Sequence, residues 1–474
     1  MSKKLSSMKY SFSRLNAISP IDGRYKEKSD ILRPIFSEFG LIKRRVEVEI
    51  RWLQMLSESS EIQEVPKFRK CINDYLNEII KNFNYSDAIL IKKIEERVNH
   101  DVKAVEYFLK RKMSKFFELK KIKEFIHFAC TSEDINNISY ALMLKESIKK
   151  VIVPNWKDII ETLEKIAFSN RLIPILSRTH GRPATPSTVG KEFINFTYRM
   201  RKQLDQILRI KIYGKMNGTV GNYNAHLFAY PKIDWFKISE EFVLSFGIEW
   251  NPLTTQVEPY DYIAEIFDCI ARFNTILIDL SRDIWGYICL GYFKKKMSDQ
   301  EIGSSIMPYK NNPIEFENSE GNLELANTLS RHISQKMPIS RWQRDLSNST
   351  LIRNLGVCIS HSLIAYFSFK DGLNKICIDE KNISQELNEN WQVITEAIQT
   401  ILRKYGEDSP YERLKELFQR NKKITRKHII EYVNSLKLPN FEKDRIRSIT
   451  PKDYIGLSNE MILKNFENKR ENKI

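Results

Sequence analysis

Two long stretches of this chain, residues 187–230 and 260–307, contain no proline. Because proline kinks or ends a helix, a stretch without it can stay helical over many turns. Glycine and proline each account for 16 of the 474 residues, about 3%, whereas globular proteins average about 7% and 5%. In the second stretch, apolar residues recur at helical spacing at Ile263, Ile266, Phe267, Ile270, Phe273, Leu277, Leu280 and Ile284. We therefore predict an all-α protein with a central bundle of long helices.

The length of 474 residues exceeds what one hydrophobic core usually supports, so several domains are expected. The helix-breaking residues predict an N-terminal helical domain over 1–120, a central long-helix bundle over 121–367, and a C-terminal helical domain over 368–474. The N-terminal domain contains an amphipathic helical run from Ile91 to Leu109. The last residues, ENKRENKI, are predicted to form a disordered tail.

A polar loop interrupts the central bundle. Helical patterns cover Asp261 to Phe293 and Glu315 to Lys336, and the loop between them, 294–313, has little apolar periodicity. Compact proteins seldom keep a loop of this length without a function. The loop is therefore the first candidate for a functional segment.

The net charge of +16 favours a lysine-rich, solvated surface. Nucleic-acid binding and steering of a polyanionic substrate are the functional alternatives. The basic residues are scattered over the whole chain and interleaved with acidic ones, and no zinc-finger, RNA-recognition or basic-zipper pattern is present. We therefore predict that nucleic acid is not a partner.

Charged residues such as Asp279, Arg282 and Asp283 interrupt the apolar helices, which argues against a membrane span. The N-terminus, MSKKLSSMKYSFSRLN, lacks the apolar core of a secretion signal and is interpreted as a frayed tail, with a transit peptide as the alternative. The six cysteines form no CxxC pair, and four of them fall in helical runs, where buried free thiols are usual. A reduced, cytoplasmic location is expected.

Several further polar segments are richer in chemistry than a linker requires. They are SPIDGRY (19–25), VNHDVKAVEYF (98–108), CTSEDINN (130–137), SRTHGRPATP (177–186), GTVGNYNAH (218–226), NPLTTQVEP (251–259) and RWQRDLSNSTLIRN (341–354). Two of them hold His100 and His180, which are candidates for proton transfer because imidazole titrates near neutral pH.

The loop sequence GSSIMPYKNNP (303–313) resembles the signature loop of the fumarase/aspartase superfamily. Together with the other polar segments, it makes the chain similar to the long bacterial type of the adenylosuccinate lyase family, from about Leu15 to about Gly456. The loop alone points to the superfamily, whereas the combination of segments is specific to the family.

The resemblance implies β-elimination of fumarate from adenylosuccinate, giving AMP, and from succinylaminoimidazole carboxamide ribotide (SAICAR), giving AICAR. Such an elimination needs a base for a weakly acidic C–H proton, donors around the adjacent carboxylate, and an acid for the departing nitrogen. No metal or organic cofactor is expected. The family also implies a homotetramer with each active site built from three subunits.

Three residues are assigned to the chemistry. Ser304 is the expected base, ionised by backbone N–H groups of the Gly-Ser-Ser turn and by the ammonium of Lys310 in a loop that closes over substrate. His180 is the expected acid. His100 is expected either to donate a hydrogen bond to the substrate or to partner His180.

The remaining candidates are expected to bind substrate. Arginine suits phosphate because its planar fork donates two hydrogen bonds at once. The resemblance implies phosphate contacts from Arg24, Tyr25, Arg344, Ser349, Thr350 and Arg353, succinyl contacts from Thr131, Ser132 and Gln256, and further substrate contacts from Asn99, His100, Asp101, Ser305, Lys310, Asn311, Asn312, Asn318, Leu351 and Ile352.

Two positions depart from the family pattern: Tyr309 replaces a common histidine and Arg182 a common glutamine. Neither is assigned a chemical step. Two alternatives stay open: another fumarate-releasing lyase of the superfamily, such as argininosuccinate lyase, or a non-catalytic helical scaffold that binds polyanions. The first should lack the phosphate cluster around Arg344 and Arg353, and the second does not explain the reactive residues.

Overall fold

The computed structural model describes residues 13–296, 306–307, 309–420 and 423–471, and most of them are helical. All eight apolar positions predicted for the helix after residue 260 are buried. This helix, Asp261–Cys289, ends four residues before the predicted Phe293, and Gly291 follows it with a left-handed φ of +73°. The next long helix, Ile314–Lys336, matches the predicted Glu315–Lys336 closely. The all-α prediction is confirmed.

The helices are numbered in chain order. In the first half they are α1 Lys26–Ser29, α2 Arg33–Phe36, α3 Glu38–Glu58, α4 Lys70–Lys81, α5 Tyr85–Val98, α6 Asp101–Met113, α7 Phe117–Lys121, α8 Ser132–Ser147, α9 Val153–Ser169, α10 Val189–Arg209, α11 Asn224–Ala229 and α12 Trp235–Ser245. In the second half they are α13 Asp261–Cys289, α14 Ile314–Lys336, α15 Ser347–Ile352, α16 Leu355–Lys375, α17 Glu380–Glu389, α18 Thr395–Lys404, α19 Pro410–Arg420, α20 Arg426–Ser435, α21 Asn440–Ser448 and α22 Ser458–Glu471. Single turns of 3-10 helix occupy Asp30–Leu32, Lys123–Phe125 and Trp391–Ile394, and a π-helical turn, Ile148–Ile152, joins α8 to α9.

The strands in the described residues are short and pair two by two. Antiparallel pairs are β1 Pro174–Ile175 with β4 Ser187–Thr188, β2 Arg178–Thr179 with β3 Arg182–Pro183, and β7 Phe293–Lys295 with β8 Ile376–Ile378, whereas β5 Tyr213–Gly214 and β6 Glu249–Trp250 are parallel. Each pair fixes the course of a connection between helices.

The helical run predicted from Ile91 to Leu109 is wrong in one respect, because it forms two helices, α5 and α6. Asn99 adopts a left-handed conformation, φ +51° and ψ +38°, and its N–H bonds the carbonyl of Glu95, which ends α5. His100 then begins α6 as its N-cap residue, with Nδ1 accepting from the N–H of Lys103 at 3.1 Å. The apolar spacing of the sequence continues into α6 at the buried Val102, Val105 and Leu109, so the spacing alone does not mark the break.

The chain separates into two compact units. The first unit comprises the described parts of residues 1–156, 203–275 and 321–367, and the second those of 157–202, 276–320 and 368–474. In the first unit, Trp156 stacks on Phe273 at 4.0 Å between ring centroids and donates to the hydroxyl of Tyr366. In the second unit, Phe193 stacks on Phe293 at 6.0 Å. The division into three domains stays a prediction.

Other expectations meet the structure with mixed outcomes. The cysteines are free thiols, but only Cys269 and Cys358 are buried, and the helical Cys71 and Cys289 are exposed, which corrects the expectation of four buried thiols. Helix α22 continues to Glu471, and the disordered tail stays a prediction. The N-terminal residues 1–12 lie outside the described residues. Within the described ranges, no helix combines the length and apolar content needed to cross a bilayer.

Candidate active site

A cavity of about 460 Å³ in the first unit brings together eight of the predicted substrate-binding residues. These eight are Asn99, His100, Asp101, Ser132, Arg344, Ser349, Ile352 and Arg353. They come from the α5–α6 turn, the start of α8, and the segment that leads into α15 and leaves it. The last of these segments lies more than 200 positions after the first two in the sequence, and the fold joins them.

The turn between α5 and α6 presents three of these residues in a row. Because the ring nitrogen Nδ1 of His100 accepts the hydrogen bond from Lys103 N–H, the neutral imidazole carries its proton on Nε2. Asp101 is the first residue of α6, where a carboxylate is stabilised by the helix dipole. Because Asn99 adopts the left-handed conformation, α5 ends there and α6 begins directly after it, at the N-cap His100.

Asp101 links two arginines. Its Oδ2 accepts from Nη2 of Arg45 at 2.7 Å and from Nη2 of Arg353 at 3.1 Å. Arg353 also donates from Nη1 to Glu38 Oε2 at 3.1 Å. Arg45 is only 1% exposed, and its Nε donates to Asn136 Oδ1 at 2.9 Å. Arg353 is thus held at the cavity by two carboxylates.

The surroundings of Asp101 favour its ionised form. Burial alone would raise the pKa of Asp101, but the charge of Arg45, the N–H of Val102 and the charge of Arg353 together lower it below its usual range. Burial opposes the charge of Arg353 as well, yet nearby Tyr140, Glu38 and Asp101 raise the pKa of Arg353. The arginines therefore stay positively charged next to an ionised carboxylate.

Two side chains from earlier segments of the sequence, Gln256 and Glu133, hold Arg344 in place. It donates from Nη1 to Gln256 Oε1 at 2.9 Å and from Nη2 to Glu133 Oε1 at 3.1 Å. The second oxygen of Glu133 accepts from the hydroxyl of Tyr260 at 3.1 Å, and burial raises the pKa of that hydroxyl well above its usual range. Gln256 therefore reaches the site through its contact with Arg344.

Helix α8 begins at the cavity with Ser132. Thr131 caps it: the Thr131 side chain accepts from the N–H of Asp134, and the Thr131 N–H donates to Asp134 Oδ2 at 2.8 Å. This capping box fixes the first turn, whose free N–H groups form a site for anions.

Six other predicted residues of the first unit do not line the cavity: Arg24, Tyr25, Thr131, Gln256, Thr350 and Leu351. Arg24 is exposed, with its guanidinium 5.9 Å from the ring centre of Tyr25. Thr350 and Leu351 lie on α15, whose Ser349 and Ile352 do line the cavity. The helical turn separates these neighbours onto different faces.

His180 belongs to the second unit, at the tip of the β2–β3 hairpin. His180 and Gly181 form the two-residue turn, with φ of +52° and +73°, and the pairs Thr179–Arg182 and Arg178–Pro183 close it. Positive φ at both turn positions matches the twist of the strands. The hairpin displays an exposed imidazole.

The described residues of the signature loop also belong to the second unit. Ser304 and Ser305 lie outside the described residues. Asn311 donates from Nδ2 to the carbonyl of Lys295 at 3.0 Å, and the carbonyl of Asn312 accepts from Lys295 Nζ at 3.0 Å. These contacts anchor the end of the loop to β7.

Two further predicted residues sit near this anchor. Lys310 is exposed, and its N–H bonds the carbonyl of Met307 at 2.9 Å. Asn318, on α14, accepts from the hydroxyl of Ser368 at 2.8 Å.

The sequence predictions missed ten residues that line the cavity: Arg45, Glu95, Glu133, Asn136, Tyr140, Val257, Tyr260, Asp345, Leu346 and Asn348. Glu133 and Asn136 belong to CTSEDINN, and Asp345 and Asn348 belong to RWQRDLSNSTLIRN, so the quoted segments contained them. Arg45 had a weaker signal, as a charged residue inside the apolar face of α3.

The arrangement suits an anionic ligand. Three guanidinium groups, a histidine N–H and the start of α8 meet at one cavity, and carboxylates hold all three arginines in place. Among the described residues, no group of three or more His, Cys, Asp or Glu side chains has the geometry of a metal site.

Family models match most of the chain. One described as "Lyase" matches residues 23–326, and one described as "Adenylosuccinate lyase C-terminal" matches residues 340–455. Together they cover both the cavity residues and the signature loop.

The chain is 56% identical over 452 residues to the adenylosuccinate lyase of Haemophilus influenzae, covering 95% of this chain and 99% of that protein. It is 55% identical over 450 residues to the adenylosuccinate lyase of Escherichia coli K12, covering 95% and 98%.

Two solved structures share the fold at 16% sequence identity. The 3-carboxy-cis,cis-muconate lactonizing enzyme from Pseudomonas putida has a TM-score of 0.73 and covers 94% of this chain and 98% of its own. A fumarate lyase from Mesorhizobium sp. BNC1 has a TM-score of 0.72 and covers 92% and 96%. At this identity the likeness establishes the fold alone.

Proposed function

We propose, because the chain belongs to the adenylosuccinate lyase family, that it cleaves adenylosuccinate to fumarate and AMP by β-elimination. The same reaction converts SAICAR to fumarate and AICAR, which places the enzyme in purine nucleotide biosynthesis. One observation carries the proposal: in a chain of this family, eight predicted substrate-binding residues from three segments meet at one cavity that three arginines line.

The phosphate of the nucleotide is assigned to Arg344 and Arg353, with Ser349 as a hydroxyl donor. All three line the cavity. The carboxylates of Glu133 and Asp101 hold the two guanidinium groups in position, so little side-chain freedom is lost when an anion binds. Arg24, Tyr25 and Thr350, which do not line the cavity, are proposed to complete the phosphate site.

The succinyl carboxylates are assigned to Thr131, Ser132 and Gln256. The start of α8 supplies backbone N–H groups and the positive end of a 16-residue helix. As the C–H proton leaves, the neighbouring carboxylate gains negative charge, and these donors stabilise it. Lys310, Asn311, Asn312 and Asn318 are proposed to contribute further contacts from the signature loop and α14.

Two groups transfer protons in the proposed mechanism. Ser304 removes the C–H proton, and the resulting electron pair forms the fumarate double bond as the C–N bond breaks. His180 protonates the departing nitrogen, so AMP leaves as a neutral amine. The exposed position of His180 at a hairpin tip supports this role.

His100 is proposed to donate a hydrogen bond to the substrate. Of the two roles expected for it, this one is supported by the bond from Lys103 N–H to Nδ1, which leaves the Nε2–H free to donate. Asn99 and Asp101 flank it, the former as a donor and the latter through Arg353.

We also propose that the chain forms a homotetramer with shared active sites in the cytoplasm, in the three-domain organisation of residues 1–120, 121–367 and 368–474. The long helices support association, because they expose large apolar side chains: Tyr198 and Leu208 on α10, Trp285 on α13, and Leu325 on α14. Such side chains on a long helix are commonly covered by another subunit.

The test is direct. Purified protein is mixed with adenylosuccinate, and fumarate and AMP are measured, with argininosuccinate as the control substrate. Release of fumarate from adenylosuccinate alone supports the proposal. Cleavage of argininosuccinate instead would assign the chain to a different lyase reaction. If neither substrate gave product, the remaining hypothesis would be a non-catalytic scaffold that binds polyanions.

A further inference from the structure

A fully buried ion pair lies in the first unit next to the residues assigned to the succinyl group. Lys215 Nζ is 2.9 Å from Asp134 Oδ1, and both side chains are 0% exposed. Neither residue lines the cavity. Burying two charges is costly unless they are paired and fully hydrogen-bonded, so such a pair calls for an explanation.

Asp134 connects two segments of the chain. Its Oδ2 accepts from the N–H of Thr131 at 2.8 Å, and its Oδ1 accepts from the N–H groups of Asn217 and Gly218 at 3.1 and 3.4 Å. One carboxylate therefore holds the start of α8 against the segment 217–221. Lys215 neutralises this carboxylate and also donates to the carbonyl of Gly218 at 3.3 Å.

The segment 217–221 continues the connection to Arg344. The carbonyl of Thr219 accepts from Gln256 Nε2 at 2.8 Å, and Oε1 of Gln256 accepts from Arg344 Nη1 at 2.9 Å. The segment also packs tightly on its neighbour, because a Cβ atom at Gly221 would lie 2.3 Å from the carbonyl oxygen of Thr254.

The main chain of Lys215 is fixed independently of its charge. Asn137, on α8, accepts from Lys215 N–H at 2.8 Å and donates to the Lys215 carbonyl at 3.0 Å. Asn137 thus fixes the main chain of Lys215 relative to α8. The ammonium of Lys215 is therefore available to hold the carboxylate of Asp134 in place.

We propose that Lys215 and Asp134 form a positioning pair that sets Thr131 and Ser132 in register with Gln256 and Arg344. The inference rests on the proposed function, in which these four residues bind the substrate. An acceptor-only group is needed at position 134 because it faces N–H donors on both sides. An amide could accept from only one side, since its NH2 group would meet the donors on the other.

The test compares Lys215→Met, Asp134→Asn and the double variant, using fumarate release, thermal unfolding and amide exchange. Lys215→Met leaves a buried carboxylate unpaired, so it should lower the melting temperature and raise KM by about tenfold or more. It should lower kcat as well, because the displaced donors stabilise the substrate carboxylate as it gains charge. The double variant removes the unpaired charge, so its melting temperature should recover. Its KM should stay high, because the amide side chain at position 134 cannot accept from both segments.

The matched control is Arg201→Met in the second unit. Arg201 donates to both oxygens of the buried Glu164, at 2.6 and 2.7 Å. Its loss should lower the melting temperature while KM stays within about twofold of the wild type.

A double variant whose KM returns to the wild-type value together with its melting temperature would overturn the proposal, because the pair would then act through stability alone. A wild-type protein without activity would instead refute the proposed function. In that case amide hydrogen exchange still tests the positioning role. Exchange of the Thr131 and Asn217 N–H groups should be faster in the double variant than in the wild type, and unchanged exchange rates would refute the role.

Discussion

The guanidinium of Arg353 donates to the carboxylate of Asp101 at 3.1 Å, although 252 positions separate the two residues in the chain. The same carboxylate oxygen accepts from the buried Arg45 at 2.7 Å. Asp101, at the α5–α6 turn, therefore fixes the orientation of the Arg353 guanidinium that lines the cavity.

Arg353→Lys should raise KM for adenylosuccinate by about tenfold or more and change kcat little, because an ammonium keeps the charge but loses the fork. Lysine also cannot contact Glu38 and Asp101 with two separate nitrogens, as Arg353 does. Steady-state kinetics provide the measurement. A substrate fragment that lacks the phosphate should show no such difference, and equal losses for both substrates would point to a structural role. Arg24→Lys should behave in the same way.

Ser304→Ala should lower kcat by about a thousandfold or more and leave substrate affinity and folding nearly intact, because only proton abstraction loses its base. Single-turnover kinetics and substrate binding by calorimetry measure the two effects separately. Ile306→Val serves as the control in the same loop. Activity of Ser304→Ala within tenfold of the wild type would refute the assignment.

Asn99→Gly and Asn99→Ala should separate the backbone role of Asn99 from its side-chain role. Glycine accepts the left-handed conformation at φ +51°, whereas alanine is strained there by about 1–2 kcal/mol. Both variants should raise KM because the amide is lost, but only Asn99→Ala should also lower the melting temperature. Wild-type KM for Asn99→Gly would show that the amide does not bind substrate.

Mixed tetramers should recover activity if the sites are shared. Inactive His180→Ala and Ser304→Ala proteins are dissociated, mixed at equal ratio and reassembled. If the two residues of a site come from different chains, about a quarter of sites hold both native groups, one half multiplied by one half, in closed symmetric tetramers. Zero activity from verified mixed tetramers would place both residues of a site in one chain.

Acid should destabilise the protein through His226. Burial, with a smaller contribution from Lys215, lowers the pKa of His226 from 6.5 to about 4 despite nearby Asp134. An imidazole whose pKa is lowered by folding contributes stability above pH 6.5 that is lost as pH falls toward 4, by about 3 kcal/mol.

The measurement is the melting temperature of His226→Phe between pH 7 and pH 4. Phenylalanine keeps an aromatic ring against Trp235, whose ring centre lies 4.8 Å from that of His226, but cannot gain a proton. The variant should lose less stability than the wild type over this range, whereas a control substitution at the exposed His332 should not change the loss. Identical pH profiles for the wild type and His226→Phe would contradict the prediction.

Sequence-based prediction succeeded best for features that the 3.6-residue helical period alone determines, such as the buried face of a helix. On α13 the spacing of Ile263, Phe267 and Ile270 identified the buried face, because a helix repeats its environment every 3.6 residues whatever lies elsewhere in the chain. The quoted motifs predicted the family in the same local way. The break between α5 and α6 was missed, since apolar spacing continues across it and only the left-handed Asn99 marks it.

Length, composition and periodicity thus determined the helical class, and the polar segments determined which residues to consider for the site. Only the tertiary structure decided which of them meet: Ser349 and Ile352 line the cavity, whereas Thr350 and Leu351, on the same short helix, do not. It also introduced Arg45 and Glu133, which hold Asp101 and Arg344. These contacts join residues far apart in the chain, and their formation depends on how helices pack, which no local pattern records.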